Sequence, residues 1–348
     1  MSATDRPRVT VIIPAYRAAA ALPRIVDQVV AQTEPPFEIL LVCDGAIDET
    51  PVVAAELAAH HASVVSVPLP DNVGVARARE AGARRARGDY ILFIDADDSI
   101  PATAVRTLVD AAVASGADVV VGEAVALLPD GRVDFTIAAP TGLGTLPSSE
   151  AFRLLLSGVV TGHLWNKLIR RSVVDECLPF AVSEVHSDLS IVTRAVSRAA
   201  TVCFVAETVY VYHATPGSIL KSGRRRGASL DVVAGVVREC ADHVGPDVVA
   251  SADYRSFVLT HITLSRLKDA VLGPYADEEA DRLARAGVRE LRWRDLPLAV
   301  RRGDLRSAAM LGAAKLSLPL YRRVMTRGRD VTGSRSHRMM DIVAREPA

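Results

Sequence analysis

The chain has 348 residues, which allows one large domain with an appendage or two domains. Hydrophobic residues make up 49% and charged residues 24%, a globular composition that excludes a disordered or low-complexity chain. Net charge is zero but uneven: from residue 291 onward there are 13 Lys and Arg against 5 Asp and Glu, an excess of eight positive charges that the rest of the chain balances.

In chain order, Val9 to Ile13 is a β-branched run ended by Pro14 and predicts a buried strand. Ala18 to Gln32 has Leu22, Ile25, Val26, Val29 and Val30 at helical spacing, and Pro35-Pro36 follows it. Glu38 to Cys43 predicts a second buried strand, Thr50 to His61 a helix with Pro51 at its first position, and Ser63 to Val67 a third strand. A helix over Gly74 to Arg87 ends at Gly88, and Asp89 to Ile94 is a fourth strand that runs into an acidic cluster. Pro101 to Ser115 predicts a helix and Ala117 to Val121 a strand. Alternating helices and apolar strands imply a largely parallel sheet covered on both faces. Ligands bind such sheets at the carboxyl ends of the strands, here the loops after Ile13, Val42 and Ile94. A turn-rich stretch from Ala126 to Thr145 precedes helices at Ser149 to Ser157 and Asp188 to Arg198, with one or two strands over Thr201 to Tyr212. After Gly223-Arg-Arg-Arg-Gly the pattern becomes helical, so residues 1–222 are read as one domain, with halves 8–125 and 126–222, and 223–348 as a helical C-terminal region.

Three loops carry candidate chemistry. Asp95, Asp97 and Asp98 follow the fourth strand, and three carboxylates within four residues repel one another unless a cation is near. Oxygen-rich clusters suit Mg²⁺ or Mn²⁺, which can stabilise a leaving diphosphate; the plainer alternative is an acidic loop capping the next helix. Asp44 follows the second strand, with Gly45 permitting a sharp turn, and can accept hydrogen bonds from a ribose or base or satisfy its own turn. Asp71-Asn-Val-Gly opens a helix whose N-terminus favours anions, with Arg79 one turn on.

Together, Val9-Thr-Val-Ile-Ile-Pro-Ala-Tyr, Cys43-Asp-Gly-Ala-Ile-Asp-Glu-Thr, Gly74 through Gly82, and Gly88-Asp-Tyr-Ile-Leu-Phe-Ile-Asp-Ala-Asp-Asp resemble, in order and spacing, the family 2 glycosyltransferases. The resemblance continues through Trp165-Asn-Lys-Leu-Ile-Arg-Arg-Ser, His186-Ser-Asp-Leu and Tyr210-Val-Tyr-His-Ala-Thr-Pro-Gly-Ser-Ile, and covers about residues 8 to 220. It implies an α/β GT-A fold, a Rossmann-like mixed sheet flanked by helices, and inverting transfer from a nucleotide-sugar donor, a UDP-sugar, to a hydroxyl of a glycan, cell-surface polymer or lipid-linked acceptor. It further implies that Pro14, Ala15 and Tyr16 line the nucleotide pocket, Asp44 meets uracil or ribose, and Arg79 assists the nucleotide or diphosphate. Asp95, Asp97 and Asp98 match the Asp-x-Asp region, with Asp97 near ribose or metal, Asp98 on a Mn²⁺ or Mg²⁺ ion and His213 near diphosphate or metal. Asp188 matches the catalytic base, and Trp165 and His186 are weaker acceptor candidates. Cys43, Arg17, Ala46, Glu80 and Ser187 depart from the family pattern, Ser187 replacing the Glu that normally precedes the base. An inverting transfer needs one carboxylate base and positive charge on the departing diphosphate. Three rivals remain: a noncatalytic nucleotide-sugar-binding scaffold, which retention of Asp97, Asp98 and Asp188 disfavours; a nucleotidyltransferase, which would show a Gly-rich, basic loop where Pro14-Ala-Tyr-Arg stands; and a nicotinamide dehydrogenase, which would show G-x-G-x-x-G after the first strand.

Cys43, Cys177, Cys203 and Cys240 have no C-x-x-C spacing and fit free thiols in a reducing cytoplasm. The N-terminus shows no secretory core, and no uncharged stretch approaches the roughly 18 apolar residues of a membrane span. The expected location is cytoplasmic, with peripheral contact at the inner face of a membrane open. Leu305, Ala309, Leu316 and Leu320 share a helical face bracketed by Arg301, Arg302, Arg306, Arg322 and Arg323. That segment suits an anionic membrane surface, packing on the first domain, or homo-oligomerisation. Nucleic acid is not an expected partner, and the region after 223 is expected to supply no reacting group.

Overall fold

The computed structural model describes residues 6–140, 142–183, 185–214 and 225–331. The expected boundary near Gly223, the Thr215 to Ile219 part of the last motif, Arg224 and the end of the basic tail lie outside the described residues. One nine-stranded mixed sheet has the order β3-β2-β1-β4-β8-β5-β9-β7, with β6 paired to β5. Its strands are Val9–Ala15 (β1), Glu38–Asp44 (β2), Val64–Leu69 (β3), Tyr90–Phe93 (β4), Val119–Leu127 (β5), Val133–Ile137 (β6), Thr145–Pro147 (β7), Lys167–Arg170 (β8) and Thr201–His213 (β9). β3, β2, β1 and β4 are parallel, so their carboxyl ends reach one edge; Ala15 lies beside Cys43, and Ile12 beside Phe93. β8 runs antiparallel between β4 and β5, and β9 lies parallel to β5.

The strand period of two divides the core between the faces. Val11, Ile13, Ile39, Leu41 and Leu92 point to one layer, with helices α1 (Leu22–Val30), α2 (Thr50–His60) and α4 (Ala104–Ser115). Ile12, Leu40, Val42, Ile91 and Phe93 point to the other, with α3 (Val75–Ala83), α5 (Ser148–Ser157), α6 (Arg171–Glu176) and α7 (Ser187–Arg198). Leu22, Ile25, Val26 and Val29 are buried along one side of α1, each fully buried aliphatic contributing roughly 1.5–3 kcal/mol.

The C-terminal helices are α8 (Gly227–Val244), α9 (Pro246–Val249), α10 (Ala252–Phe257), α11 (Leu264–Leu272), α12 (Asp277–Glu290), α13 (Leu296–Arg301), α14 (Leu305–Leu316) and α15 (Leu318–Val331), with a π-helical turn at Val258–Thr263. They divide between two cores. Val233, Val236, Val237 and Cys240 of α8, with Phe257 and Ile262, join the core on the α7 side of the sheet. Leu264, Leu267, Ala284, Leu311 and Tyr321 form a smaller core of their own. Leu305 and Leu316 are 67% and 72% exposed, so the apolar stripe foreseen on this segment faces away from that core. Among the described residues, no helix is long and apolar enough to cross a membrane.

Candidate active site

The edge formed by the carboxyl ends of β2, β1 and β4 gathers the expected residues. After β1, Ala15 is 1% exposed and supports the turn, whereas the Tyr16 ring is 45% exposed. Arg17 takes a left-handed φ of 52° and sets its guanidinium 5.4 Å from the centre of that ring. Tyr16 is thus an open aromatic surface at this edge, while Pro14 is half-buried.

Asp44, at the end of β2, accepts the Val73 amide at 2.7 Å and the Gly74 amide at 3.0 Å, one on each carboxylate oxygen. It therefore clamps the loop that opens α3. Gly45 makes the approach possible: its φ is 55°, and a Cβ there would lie 2.1 Å from Asn72 N and the Asp71 carbonyl carbon. In this arrangement both carboxylate oxygens of Asp44 are engaged by the loop it holds.

Arg79 projects from α3 to the centre of the site. Its side chain is 3% exposed and bridges two carboxylates, with Nη1 donating to Asp188 Oδ1 at 2.5 Å and Nη2 to Asp95 Oδ1 at 2.7 Å. The resemblance implies that Arg79 assists the nucleotide or diphosphate; in this structure each Nη atom donates to one carboxylate of the bridge. Planar guanidinium geometry suits the two-sided role.

Asp188, in the first turn of α7, is a member of that bridge and not the helix cap; His186 holds the cap position with a left-handed φ of 66°. Burial pushes the Asp188 carboxyl upward, but the Arg79 charge and hydrogen bond outweigh it, followed by His163 and the Leu164 amide, and Asp188 is held below the usual carboxylate range. Asp95 goes the other way, because its burial and the Asp188 charge outweigh the same arginine. Two carboxylates around one cation are thereby driven apart in acidity.

Asp97 is exposed, whereas Asp98 is fully buried. Asp98 accepts the Tyr210 hydroxyl at 2.6 Å and the His213 backbone amide at 2.8 Å. Tyr210 Oη also accepts the Asp95 amide at 3.2 Å, so one phenol ties both ends of the acidic loop to β9. Burial, reinforced by Asp95, pushes Asp98 up to about 8. Sequence reasoning placed Asp98 directly on a metal; here each of its oxygens accepts one protein donor. The His213 ring is 2.8 Å from Ser99 Oγ, and burial with the Arg24 charge lowers its pKa. Among the described residues, no group of three or more His, Cys, Asp and Glu side chains is gathered to hold a metal. That arrangement still suits a hard cation, which binds through one or two carboxylates and completes its shell with substrate phosphates and water. Asp97 supplies the accessible oxygens.

Trp165 is 5% exposed, stacks on Tyr210 with centroids 4.3 Å apart and meets the His163 ring in a tilted contact at 4.7 Å. It braces the acidic loop's phenol and is not an open platform for a sugar. His186 is partly buried, two residues from Asp188, and burial lowers its pKa. Sequence reasoning missed Arg24 of α1, which donates to the Asp97 carbonyl at 2.7 Å and to Ser99 Oγ at 2.9 Å. It also missed Lys167, completely buried; its place in the Trp165-Asn-Lys motif was the available signal.

Residues 10–178 match the family model for glycosyl transferase family 2. Cholesterol galactosyltransferase of Borreliella burgdorferi is 29% identical over 224 residues, covering 62% of this chain and 62% of that protein. Succinoglycan biosynthesis protein ExoO of Rhizobium meliloti is 26% identical over 220 residues, 61% of this chain and 62% of its own length. The matched part thus spans less than two thirds of either relative. Among solved structures, S. aureus TarS 1-349 in complex with UDP-GlcNAc superposes with a TM-score of 0.66 at 15% identity, covering 93% of this chain and 92% of that one. Mannosyltransferase PcManGT from Pyrobaculum calidifontis, in complex with GDP-Man and Mn²⁺, gives 0.52 at 20% identity, covering 95% of this chain and 89% of its own. At these identities the structural likeness is one of fold.

Proposed function

We propose that this chain, whose residues 10–178 match the family model for glycosyl transferase family 2, transfers a sugar from a UDP-sugar to a hydroxyl of a glycan, polymer or lipid-linked acceptor, with inversion at the anomeric carbon. The observation that carries this reading is the Asp95–Arg79–Asp188 bridge at the carboxyl edge of the sheet. It supports an ionised Asp188 at neutral pH, fixed in position and able to take the acceptor proton as that oxygen attacks the anomeric carbon. The bond from that carbon to the diphosphate oxygen breaks, and its electron pair leaves with the nucleoside diphosphate. The exposed Tyr16 ring and the loop clamped by Asp44 suit the nucleotide, and Arg24 stands where the departing diphosphate needs a cation. A divalent cation, Mn²⁺ or Mg²⁺, held chiefly by Asp97 with His213 alongside, supplies further charge stabilisation of the diphosphate when bound. We place the enzyme in the cytoplasm, a reading that the four free, buried cysteines support.

A donor screen tests the proposal. Nucleoside diphosphate release and thermal stabilisation are measured with UDP- and GDP-sugars, with and without Mn²⁺. Release that depends on one UDP-sugar and is lost in Asp188→Asn is expected. Release from no nucleotide-sugar, with no stabilisation by any nucleotide, rejects it.

A further inference from the structure

Lys167 is a cation at 0% exposure on the first residue of β8, directly beside the base, and the chemistry above makes no use of it. An isolated buried ammonium is costly, so its surroundings decide what keeps it there. Its Nζ donates to the His163 carbonyl at 2.6 Å and to Asn166 Oδ1 at 2.8 Å, both neutral oxygens. Asn166 is locked in turn: its amide donates to the Gly122 carbonyl at 2.6 Å, and the Gly122 amide donates back to the Asn166 carbonyl at 3.0 Å. The Lys167 amide closes the turn on the Leu164 carbonyl at 3.2 Å. The ammonium thus ties residues 163–167 into one tight unit on the edge of β5.

That unit is pressed against the first turn of α7. Gly162 lies so close that an added Cβ would sit 2.6 Å from Leu189 Cδ1, and the Leu164 amide supports the Asp188 carboxylate. Asp188 is therefore held from two sides, by Arg79 from α3 and by the Lys167-closed loop.

We propose that Lys167 is a positioning residue for Asp188: by closing the 163–167 turn it presents the Leu164 amide to the base and adds a positive charge to its surroundings. The inference rests on Asp188 being the base. Two titratable groups face Lys167, Asp188 on α7 and His163 on its own loop. Burial pushes the ammonium down to about 7 while the Asp188 charge holds it up; burial pushes His163 down to about 4, leaving that ring neutral. Across neutral pH, Lys167 is the neighbour of the base whose charge changes.

The chain has only four lysines, which makes the coupling directly observable. Side-chain NMR of the full chain with ¹³C-lysine, assigned by replacing Lys221, Lys268 and Lys315 by Arg one at a time, should show the Lys167 signal titrating near 7. In Asp188→Asn the midpoint should fall by about half a pH unit or more, since a negative neighbour is lost. A lysine that merely closes a turn would not respond. In parallel, Lys167→Met should lower kcat about tenfold or more with the donor KM unchanged, and should lose the inflection near 7 in the pH–rate profile. If Lys167→Met does not fold, the NMR measurement decides. An unmoved Lys167 midpoint in an inactive Asp188→Asn protein, or a Lys167→Met enzyme with parental kcat and pH profile, overturns the proposal alone. Normal transfer by Asp188→Asn overturns the base assignment and the proposal with it.

Discussion

Replacing Arg79 by Met removes the one cation between Asp95 and Asp188 while keeping most of the side-chain volume. The guanidinium is 3% exposed and its partners 30% and 23%, so solvent screens the contacts only in part. At 4 Å and an effective dielectric near 20, each opposite-charge contact is worth roughly 4 kcal/mol before desolvation. Removing one partner of a buried pair costs about 3–5 kcal/mol, and partial exposure of the carboxylates places this case near about 3 kcal/mol at pH 7. The pH dependence has a definite sign. Asp188 is held below its ordinary value, so its contribution is fully present above the unfolded pKa near 4 and is lost as pH falls through the folded value. The gap between parent and Arg79→Met should therefore be largest at neutral pH and shrink in acid, where protonated carboxyls no longer need the arginine. Urea unfolding at pH 7 and in mild acid reads the gap directly. Sugar transfer at pH 7 should fall as well, because Asp188, freed from Arg79, holds its proton more tightly beside Asp95. A gap under about 1 kcal/mol at pH 7, or one that does not change with pH, would refute this account of the bridge.

Asp188→Asn should lower transfer by about 10²- to 10⁴-fold while UDP binding by calorimetry stays near the parent value; near-normal transfer rejects the base assignment. Tyr210→Phe strips one donor from Asp98 and the acceptor of the Asp95 amide, so thermal unfolding should show a loss of about 1–3 kcal/mol. Asp97→Ala should abolish the effect of Mn²⁺ on UDP binding, whereas Asp98→Ala should lower Tm because its buried partners lose their acceptor; a Mn²⁺ effect kept in Asp97→Ala and lost in Asp98→Ala would show that Asp98 is the metal-facing residue. A chain ending at residue 222 should be insoluble, since it uncovers the core that Val233, Val236, Val237 and Cys240 of α8 complete; a soluble, UDP-binding fragment would contradict that packing.

The parallel strands were legible because β1, β2 and β4 are apolar runs buried on both faces, and such runs stand out without any pattern of alternation. β8 was not, because it is four residues long and begins with a lysine, which no reading of hydropathy assigns to the middle of a sheet. β7 is three residues long with a proline at its end, and β6 is mostly exposed, so neither carries a strand signal. The helices after residue 227 were legible as helices, but where their apolar faces turn was not: α8 completes the main core, a fact set by tertiary contact.

The same division holds in the site. Strand-end placement brings Asp44 and the Asp95–Asp98 cluster to consideration, and the family resemblance brings Asp188, but neither gives the direction in which each carboxylate turns. Asp97 and Asp98 are adjacent in sequence and opposite in environment, one exposed and one fully buried, because β9 passes beneath the loop and offers Asp98 the Tyr210 hydroxyl and the His213 amide. Arg79 could serve a phosphate or a carboxylate equally well by its chemistry. Only the meeting of α3 with the start of α7, 109 residues further along, decides that it serves two carboxylates. Sequence motifs report which charges must meet; how those charges are divided between substrate and scaffold is fixed by contacts between segments remote in the chain. In this molecule Arg79 is committed to two carboxylates and Lys167 to the His163 carbonyl and the Asn166 side chain, so both buried cations serve contacts within the scaffold.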